Sequence, residues 1–331
     1  MQSIGQKKFR AGQIAAWIYQ RGVHSFDGMN DLSKELRARL SEMYSIEPAR
    51  LITQLNSPST TKFLLELNGA RVECVLMRHD YGNSVCISSQ VGCAMGCAFC
   101  ASTLNGCQRN LTAVEMLAQV VFINDRLRAE SQKVDSIVVM GTGEPLQNFD
   151  NLIGFLKMIH EPYTLGMSYR RIVVSTCGIV PNIDRLAASD IPITLSISLH
   201  APTDELRSQL MPINRTFDIK TVVEAGGRYA DRTGRRVTYE YILIDGVNDS
   251  TEHARQLATL LKNQLANVNL IPINPVEGKS FRRPSKERIK DFVTVLESRG
   301  LGSTVRKEFG AEIDAACGQL RNRDLSAKVM K

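Results

Sequence analysis

The chain has 331 residues, 43% of them hydrophobic and 23% charged. This is the composition of an ordinary globular protein, long enough to bury a core without disulfides. Residues 1–20 hold no apolar signal-peptide segment and no run reaches the roughly 18 apolar residues of a membrane span, so a cytoplasmic chain with no membrane partner is expected.

Charge is uneven along the chain. The net +7 comes from 41 Lys and Arg against 34 Asp and Glu, with +6 in residues 279–331 and +3 in residues 1–50. Basic ends suit a polyanion such as RNA, and they equally suit a plain solvated surface. Residues 9–21 read as a helix with Phe9, Ile14, Trp17 and Ile18 toward a core; residues 31–44 read as a second, with Leu32, Leu36 and Leu40 on one face. Strand-like stretches at 61–67 and 71–77 flank Asn68-Gly69, a hairpin turn. Residues 1–80 are thus expected to form a small helical module followed by a β-hairpin.

From residue 81 to residue 310 strand and helix alternate. Strands are expected at 84–89, 134–140, 171–175, 193–199, 236–244, 268–273 and 302–307. Helices are expected between them at 112–128, 148–160, 179–188, 218–232, 251–264 and 285–299, the first opened by the capping box Thr112 to Glu115. Repeated βα units give a parallel sheet with right-handed crossovers. Six units do not close an eight-fold barrel, so the fold class expected is α/β, an open parallel (β/α)6 partial barrel, with 311–331 as a C-terminal segment. Chemistry in such folds lies at the C-terminal ends of the strands.

Eight cysteines occur, at 74, 86, 93, 97, 100, 107, 177 and 317. In a reducing compartment they are candidates for metal binding or catalysis. Cys93, Cys97 and Cys100 have CxxxCxxC spacing in a loop that also carries Gly92 and Gly96. A [4Fe–4S] cluster is ordinarily held by four thiolates; three leave one iron open to a small molecule. A structural zinc site is the alternative, with Cys86 or Cys107 as fourth ligand.

Polar residues follow several strands. Gly141-Thr142-Gly143-Glu144-Pro145 offers close backbone approach and a carboxylate for an ammonium group. Ser175-Thr176-Cys177-Gly178, Ser198-Leu199-His200 and Pro272-Ile273-Asn274-Pro275 end three more. Singly each is an ordinary turn; together on one rim they mark a site. Cys317, between Ala315-Ala316 and Gly318-Gln319, is less crowded than a core cysteine.

These stretches resemble the RlmN/Cfr family of radical S-adenosylmethionine (SAM) RNA adenine methyltransferases nearly end to end. The resemblance rests on Phe9-Arg10-Ala11, Trp17-Ile18-Tyr19, Cys86 through Cys93, the CxxxCxxC loop, Arg109-Asn110-Leu111-Thr112, Gly143-Glu144-Pro145, Ser198 through Pro202, Met211-Pro212-Ile213-Asn214 and Asp314 through Leu320. It departs at Thr142, where many members have Met, and in an N-terminal module that is a little short.

The resemblance implies the radical SAM partial barrel and a [4Fe–4S] cluster on Cys93, Cys97 and Cys100. The open iron would chelate SAM, with Phe99 near its adenine and Gly143, Glu144, Ser175, Ser198, Leu199, His200 and Asn274 as further contacts. It also implies a route to C2 of adenine, which is electron-poor and no nucleophile. One SAM methylates Cys317, a thiolate being a good nucleophile, and a second yields a radical that takes hydrogen from that methyl. Glu73 accepts the ring proton, and Cys86 resolves the adduct through a transient disulfide.

The implied substrates are an adenosine in the peptidyl transferase centre of 23S rRNA and the adenosine 3′ to the anticodon of some tRNAs, extruded into the site. A flavodoxin or ferredoxin as electron donor and a monomeric chain are implied as well. Pro145 and Pro272 resemble the RlmN branch. The Cfr branch, which methylates C8, is the alternative; a glycyl-radical activase and a zinc-dependent RNA-binding protein are more distant ones.

Overall fold

The leucine spacing of the first eighty residues builds a core of its own. In the computed structural model, which describes residues 1, 4–274, 276, 278–307, 310–316 and 318–320, α1 (Phe9–Ala15) runs on through a π turn at Ala16–Gln20. α2 (Lys34–Met43) begins after Ser33, whose hydroxyl accepts from the Leu36 N–H at 3.3 Å. The helix expected from residue 31 therefore starts later, at a side-chain cap that satisfies one of its free donors. Ile4, Ile14, Phe26, Met29, Leu32, Leu36 and Leu40 pack into one cluster, with Trp17 and Ile18 against it. Phe9, expected inward, is 56% exposed and has the Arg10 guanidinium 5.0 Å from its ring centre.

An antiparallel meander follows: β1 (Arg50–Asn56), β2 (Thr60–Leu67), β3 (Ala70–His79) and β4 (Gly82–Cys86). Asn68 and Gly69 both take positive φ, 46° and 73°, as a tight two-residue hairpin requires. β1 lay outside the expected elements. It is a half-exposed edge strand with no clean apolar alternation. β5 (Gln90–Gly92) and β6 (Cys107–Asn110) form a separate two-stranded ribbon.

The alternating part comprises α3 (Ala113–Ala129), β7 (Ser136–Val139), α4 (Phe149–His160), β8 (Ile172–Thr176), α5 (Val180–Ala187), β9 (Thr194–Ser198), α6 (Asp204–Leu210), α7 (Ile219–Thr233), β10 (Val237–Leu243), α8 (Thr251–Leu260), β11 (Ala266–Pro272), α9 (Lys286–Ser298) and β12 (Ser303–Val305). β4 and β7 to β12 are parallel and lie in sequence order. Six crossovers, through α3, α4, α5, α7, α8 and α9, bury their apolar faces in the main core. Among the described residues β4 and β12 do not pair, so the sheet is open, as six units require.

β4 pairs with β3 on one side and β7 on the other. The hairpin is thus part of the same ten-stranded sheet, between the edge strand β1 and β4. Residues 310–316 and 318–320 return to this edge. Lys62 Nζ donates to the Asp314 carbonyl at 2.9 Å, the Ala101 N–H to Gly318 at 2.8 Å, and Ser102 Oγ to Leu320 at 2.7 Å. Ala315 and Leu320 pack on Val75 and Met77. Among the described residues no helix is long and apolar enough to cross a membrane.

Candidate active site

One cavity opens at the C-terminal ends of the parallel strands. Its wall includes Cys86, Cys93, Cys97, Phe99, Cys100, Gly143, Glu144, Ser175, Ser198, His200 and Asn274, together with Ala316 and Gly318. The sequence reading thus gathers at one place, with exceptions set out below.

The loop after β7 is stitched to the segment leaving β4. Thr142 N–H bonds Ser88 Oγ at 2.9 Å, and Glu144 N–H bonds Gln90 Oε1 at 2.8 Å. A Cβ on Gly143, at φ 108°, would stand 2.6 Å from Gln90 Cβ, and one on Gly141 would stand 2.7 Å from the Ile87 carbonyl oxygen. These glycines are required for chain-to-chain packing, where the sequence had suggested approach to a ligand. Gln119 fixes the same segment, accepting from Ser88 N–H at 2.9 Å and donating to its carbonyl at 3.0 Å. The buried Glu144 carboxylate accepts from the Leu146 N–H at 2.9 Å and the Cys177 N–H at 2.7 Å. Burial nevertheless raises its pKa, since two amides do not replace full hydration. A cationic partner would offset that cost.

The ends of β8 and β9 are clamped by Arg207 on α6, which is fully buried. Its Nη2 donates to Cys177 O at 2.7 Å and Ser198 O at 3.3 Å, its Nε to Leu199 O at 3.3 Å, and its Nη1 to Asn214 Oδ1 at 2.9 Å and Phe217 O at 3.1 Å. A planar fork of fixed donors suits this role. Sequence reasoning missed Arg207; the one cue was Met211-Pro212-Ile213-Asn214, which ends in its partner.

His200 sits at φ 61° and accepts the Ile242 N–H on Nδ1 at 2.9 Å. Burial, then Arg207, pushes its pKa down to about 3. Its ring meets Phe99 edge to face at 4.8 Å. Asn274 Oδ1 is buried without a hydrogen-bond partner among the described residues. Leu199, between Ser198 and His200 of the wall, has its side chain in the main core, and its backbone N–H bonds Glu240 O at 3.0 Å.

The cysteine loop is closed at its base by β5 and β6. Cys93 N–H donates to Gly106 O at 2.9 Å, and a Cβ on Gly92 would lie 1.9 Å from that same oxygen. The Cys93 thiol is pushed up to about 12 by burial and by neighbouring anionic groups, and Cys97 is raised further for the same reasons. Among the described residues no His, Cys, Asp or Glu set already stands in metal-binding geometry. The chemistry of the wall still fits the cluster: three thiols share one cavity, and a bound cation is what would convert buried thiols to thiolates. The unpartnered Asn274 oxygen and the Glu144 carboxylate fit the ammonium-bearing end of SAM. Cys107 is not part of this wall.

Glu73 is buried on β3, on the same strand face as Val75 and Met77 of the wall, with Lys62 Nζ 3.2 Å from its Oε1. Cys86 ends β4 and is half-buried on the wall. Cys317 and Pro275 lie outside the described residues.

Comparison with known proteins shows the family. The profile of the ribosomal RNA large subunit methyltransferase N-terminal domain matches residues 1–46, and that of the radical SAM superfamily matches residues 87–258. A dual-specificity RNA methyltransferase RlmN of Desulforamulus reducens is 53% identical, covering 98% of this chain and 92% of that protein. Its namesake in Symbiobacterium thermophilum is 51% identical, covering 98% and 88%. The crystal structure of a radical SAM methyltransferase from Sphaerobacter thermophilus superposes with a TM-score of 0.93 at 45% identity, covering 97% and 95%. On fold and relatives together, the chain belongs to the RlmN family of radical SAM RNA methyltransferases.

Proposed function

We propose that this chain methylates C2 of adenine in 23S rRNA and in tRNA, by way of a methyl carried on Cys317. One observation carries the reading: a single cavity is lined by the three cysteines of the CxxxCxxC loop, by Cys86, and by Ala316 and Gly318 on either side of residue 317.

Cys93, Cys97 and Cys100 would hold the cluster, and Glu144, Ser175, Ser198, His200 and Asn274 would surround SAM. When bound, these two groups supply a methyl cation equivalent and, after one-electron reduction from a flavodoxin or ferredoxin, a carbon radical. The chain does the rest. Glu144, anchored through both oxygens, presents a fixed anion to an ammonium group. His200, its Nδ1 already occupied, offers Nε2–H as a neutral donor. Phe99, Met211 and Ile242 of the wall, packed with Leu210 and Ile273, keep water away, which preserves reactive species. Glu73, paired with Lys62, is the proton acceptor from the base. Cys86 is the thiol that attacks Cys317 sulfur and releases the product. The chain would work as a cytoplasmic monomer.

The test is mass spectrometry of nucleosides from rRNA and tRNA of a strain lacking the gene, with and without this chain supplied. Restoration of 2-methyladenosine in both RNAs is expected. Restoration of 8-methyladenosine instead would assign the Cfr-type reaction, and restoration of neither would refute the reading.

A further inference from the structure

We propose that Lys62 is a positioning residue for the reaction: it fixes the proton acceptor Glu73 against the segment that carries Cys317. The proposal rests on the RNA-methylating reading above and adds a residue to it.

In that reading Glu73 takes the proton of the adenine carbon. The C2–H bond breaks, its electron pair stays on the ring, and an O–H bond forms on the carboxylate. Such a transfer depends on where the acceptor stands. β2 and β3 pair Lys62 with Val75 and Leu64 with Glu73, so Lys62, Glu73 and Val75 share one face of the sheet. Val75 lines the cavity. On that face Lys62 Nζ stands 3.2 Å from Glu73 Oε1 and donates to the Asp314 carbonyl at 2.9 Å. One ammonium group thereby holds the acceptor and the last segment at once.

Both ends are fixed further. The Glu73 carbonyl accepts from Ser88 Oγ at 2.7 Å, and the same hydroxyl accepts the Thr142 N–H at 2.9 Å. This joins the backbone of Glu73 to the loop of Glu144. Asp314 has a φ of 52°, which residues other than Gly seldom take and which the surroundings have to maintain. Beyond it the Ala316 N–H donates to Gln319 Oε1 at 3.0 Å, and the Gln319 N–H to the Ala316 carbonyl at 3.1 Å. In the sequence Cys317 lies between these two, three positions after Asp314. A shift at Asp314 is thus passed to the residues around Cys317.

Stability alone is a weak reason for the pair. Lys62 is 4% exposed and Glu73 1%. Taking two charges out of water often costs as much as their attraction returns, and apolar residues of similar volume are often as stable or more so. What this pair supplies, and an apolar pair does not, is an anion held at a fixed place.

The test uses full-length, cluster-loaded protein turning over 23S rRNA transcript with SAM and a reductant. A general base contributes about 10²–10⁴-fold, and a misplacement of about 1 Å costs about 10²-fold. Glu73→Gln should therefore lower kcat about 10²–10⁴-fold, and Lys62→Met about 10²-fold. In Lys62→Met the KM for RNA should stay at the wild-type value, and peptide mass spectrometry should find Cys317 methylated as in wild type. RNA deuterated at C2 of adenine should slow Lys62→Met more than wild type, because proton transfer has become limiting. Adding Lys62→Met to Glu73→Gln should cost nothing further, since Lys62 acts through Glu73. That double variant buries no lone charge, so it decides the matter even if Lys62→Met alone fails to fold. Wild-type kcat or an unchanged isotope effect in Lys62→Met, unmethylated Cys317 in that folded variant, or a further loss in the double variant would overturn the proposal. If wild type forms 2-methyladenosine, each of these removes only the role of Lys62; a wild type that forms none and leaves Cys317 unmethylated removes the reading beneath it as well.

Discussion

His200 shows how much one side chain can be fixed by its surroundings. Its Nδ1 is taken by a backbone N–H and its pKa is pushed down to about 3. Above pH 6.5 the ring is neutral both folded and unfolded, and this term is silent. As pH falls below 6.5 the unfolded chain gains a proton that the folded chain refuses, so stability is lost progressively toward pH 3. Between pH 7 and pH 5 the loss from this residue should be about 2 kcal/mol. Urea unfolding at the two pH values should show that much less acid sensitivity in His200→Asn than in wild type; equal sensitivity would mean that the ring protonates freely.

The sequence announced His200 because Ser198-Leu199-His200 follows a strand. It announced Cys93, Cys97 and Cys100 by spacing and Glu144 by its glycines. It could not announce Arg207, whose acceptors are scattered from Cys177 to Phe217, nor Lys62, which meets Asp314 across 252 positions. Such contacts leave no local pattern. Leu199 joins two neighbourhoods that no local pattern separates: its side chain lies in the main core and its N–H bonds Glu240 O.

The elements divide by their place in the strand–helix alternation. Strands and helices of the alternating part stand within a few residues of expectation, because apolar strand and helix patterns follow one another there in regular order. β5, β6 and α6, of 3, 4 and 7 residues, were not expected: each lies inside a connection, outside that alternation. Yet β5 and β6 close the cysteine loop, and Gly92 is where they touch. Gly92→Ala would force a Cβ within 1.9 Å of the Gly106 carbonyl oxygen at a φ of 80°. Positive φ alone costs roughly 1–3 kcal/mol, and the clash adds to it. Iron per chain, measured after anaerobic reconstitution, should fall sharply in Gly92→Ala. Gly106→Ala, at a similar positive φ of 65° but with open space around its Cβ, isolates the clash from the backbone strain and should keep more of its iron than Gly92→Ala. Equal iron in wild type and Gly92→Ala would mean that the ribbon does not govern the loop.

At the scale of the whole molecule, the basic residues near the ends predict a salt-sensitive RNA complex. Each phosphate neutralised on a single strand contributes about −0.7 to the slope of log affinity against log salt. Replacing exposed Arg282 and Arg283 with Gln should lessen the slope by up to about 1.4 if both meet phosphates. A slope that does not move would place the RNA elsewhere.

The return of residues 310–320 to β2 and the cysteine loop has a consequence in time. Lys62 and Asp314 meet across 252 positions, and Ser102 and Leu320 across 218. A chain made from its N-terminus at about 5–20 residues per second has its cysteine loop outside the ribosome well before that last wall exists. For that interval, on the order of ten seconds, the cysteine loop lacks the cover that Gly318 and Leu320 give it. Iron and sulfide delivered to the loop in that interval would not have to pass residues 310–320.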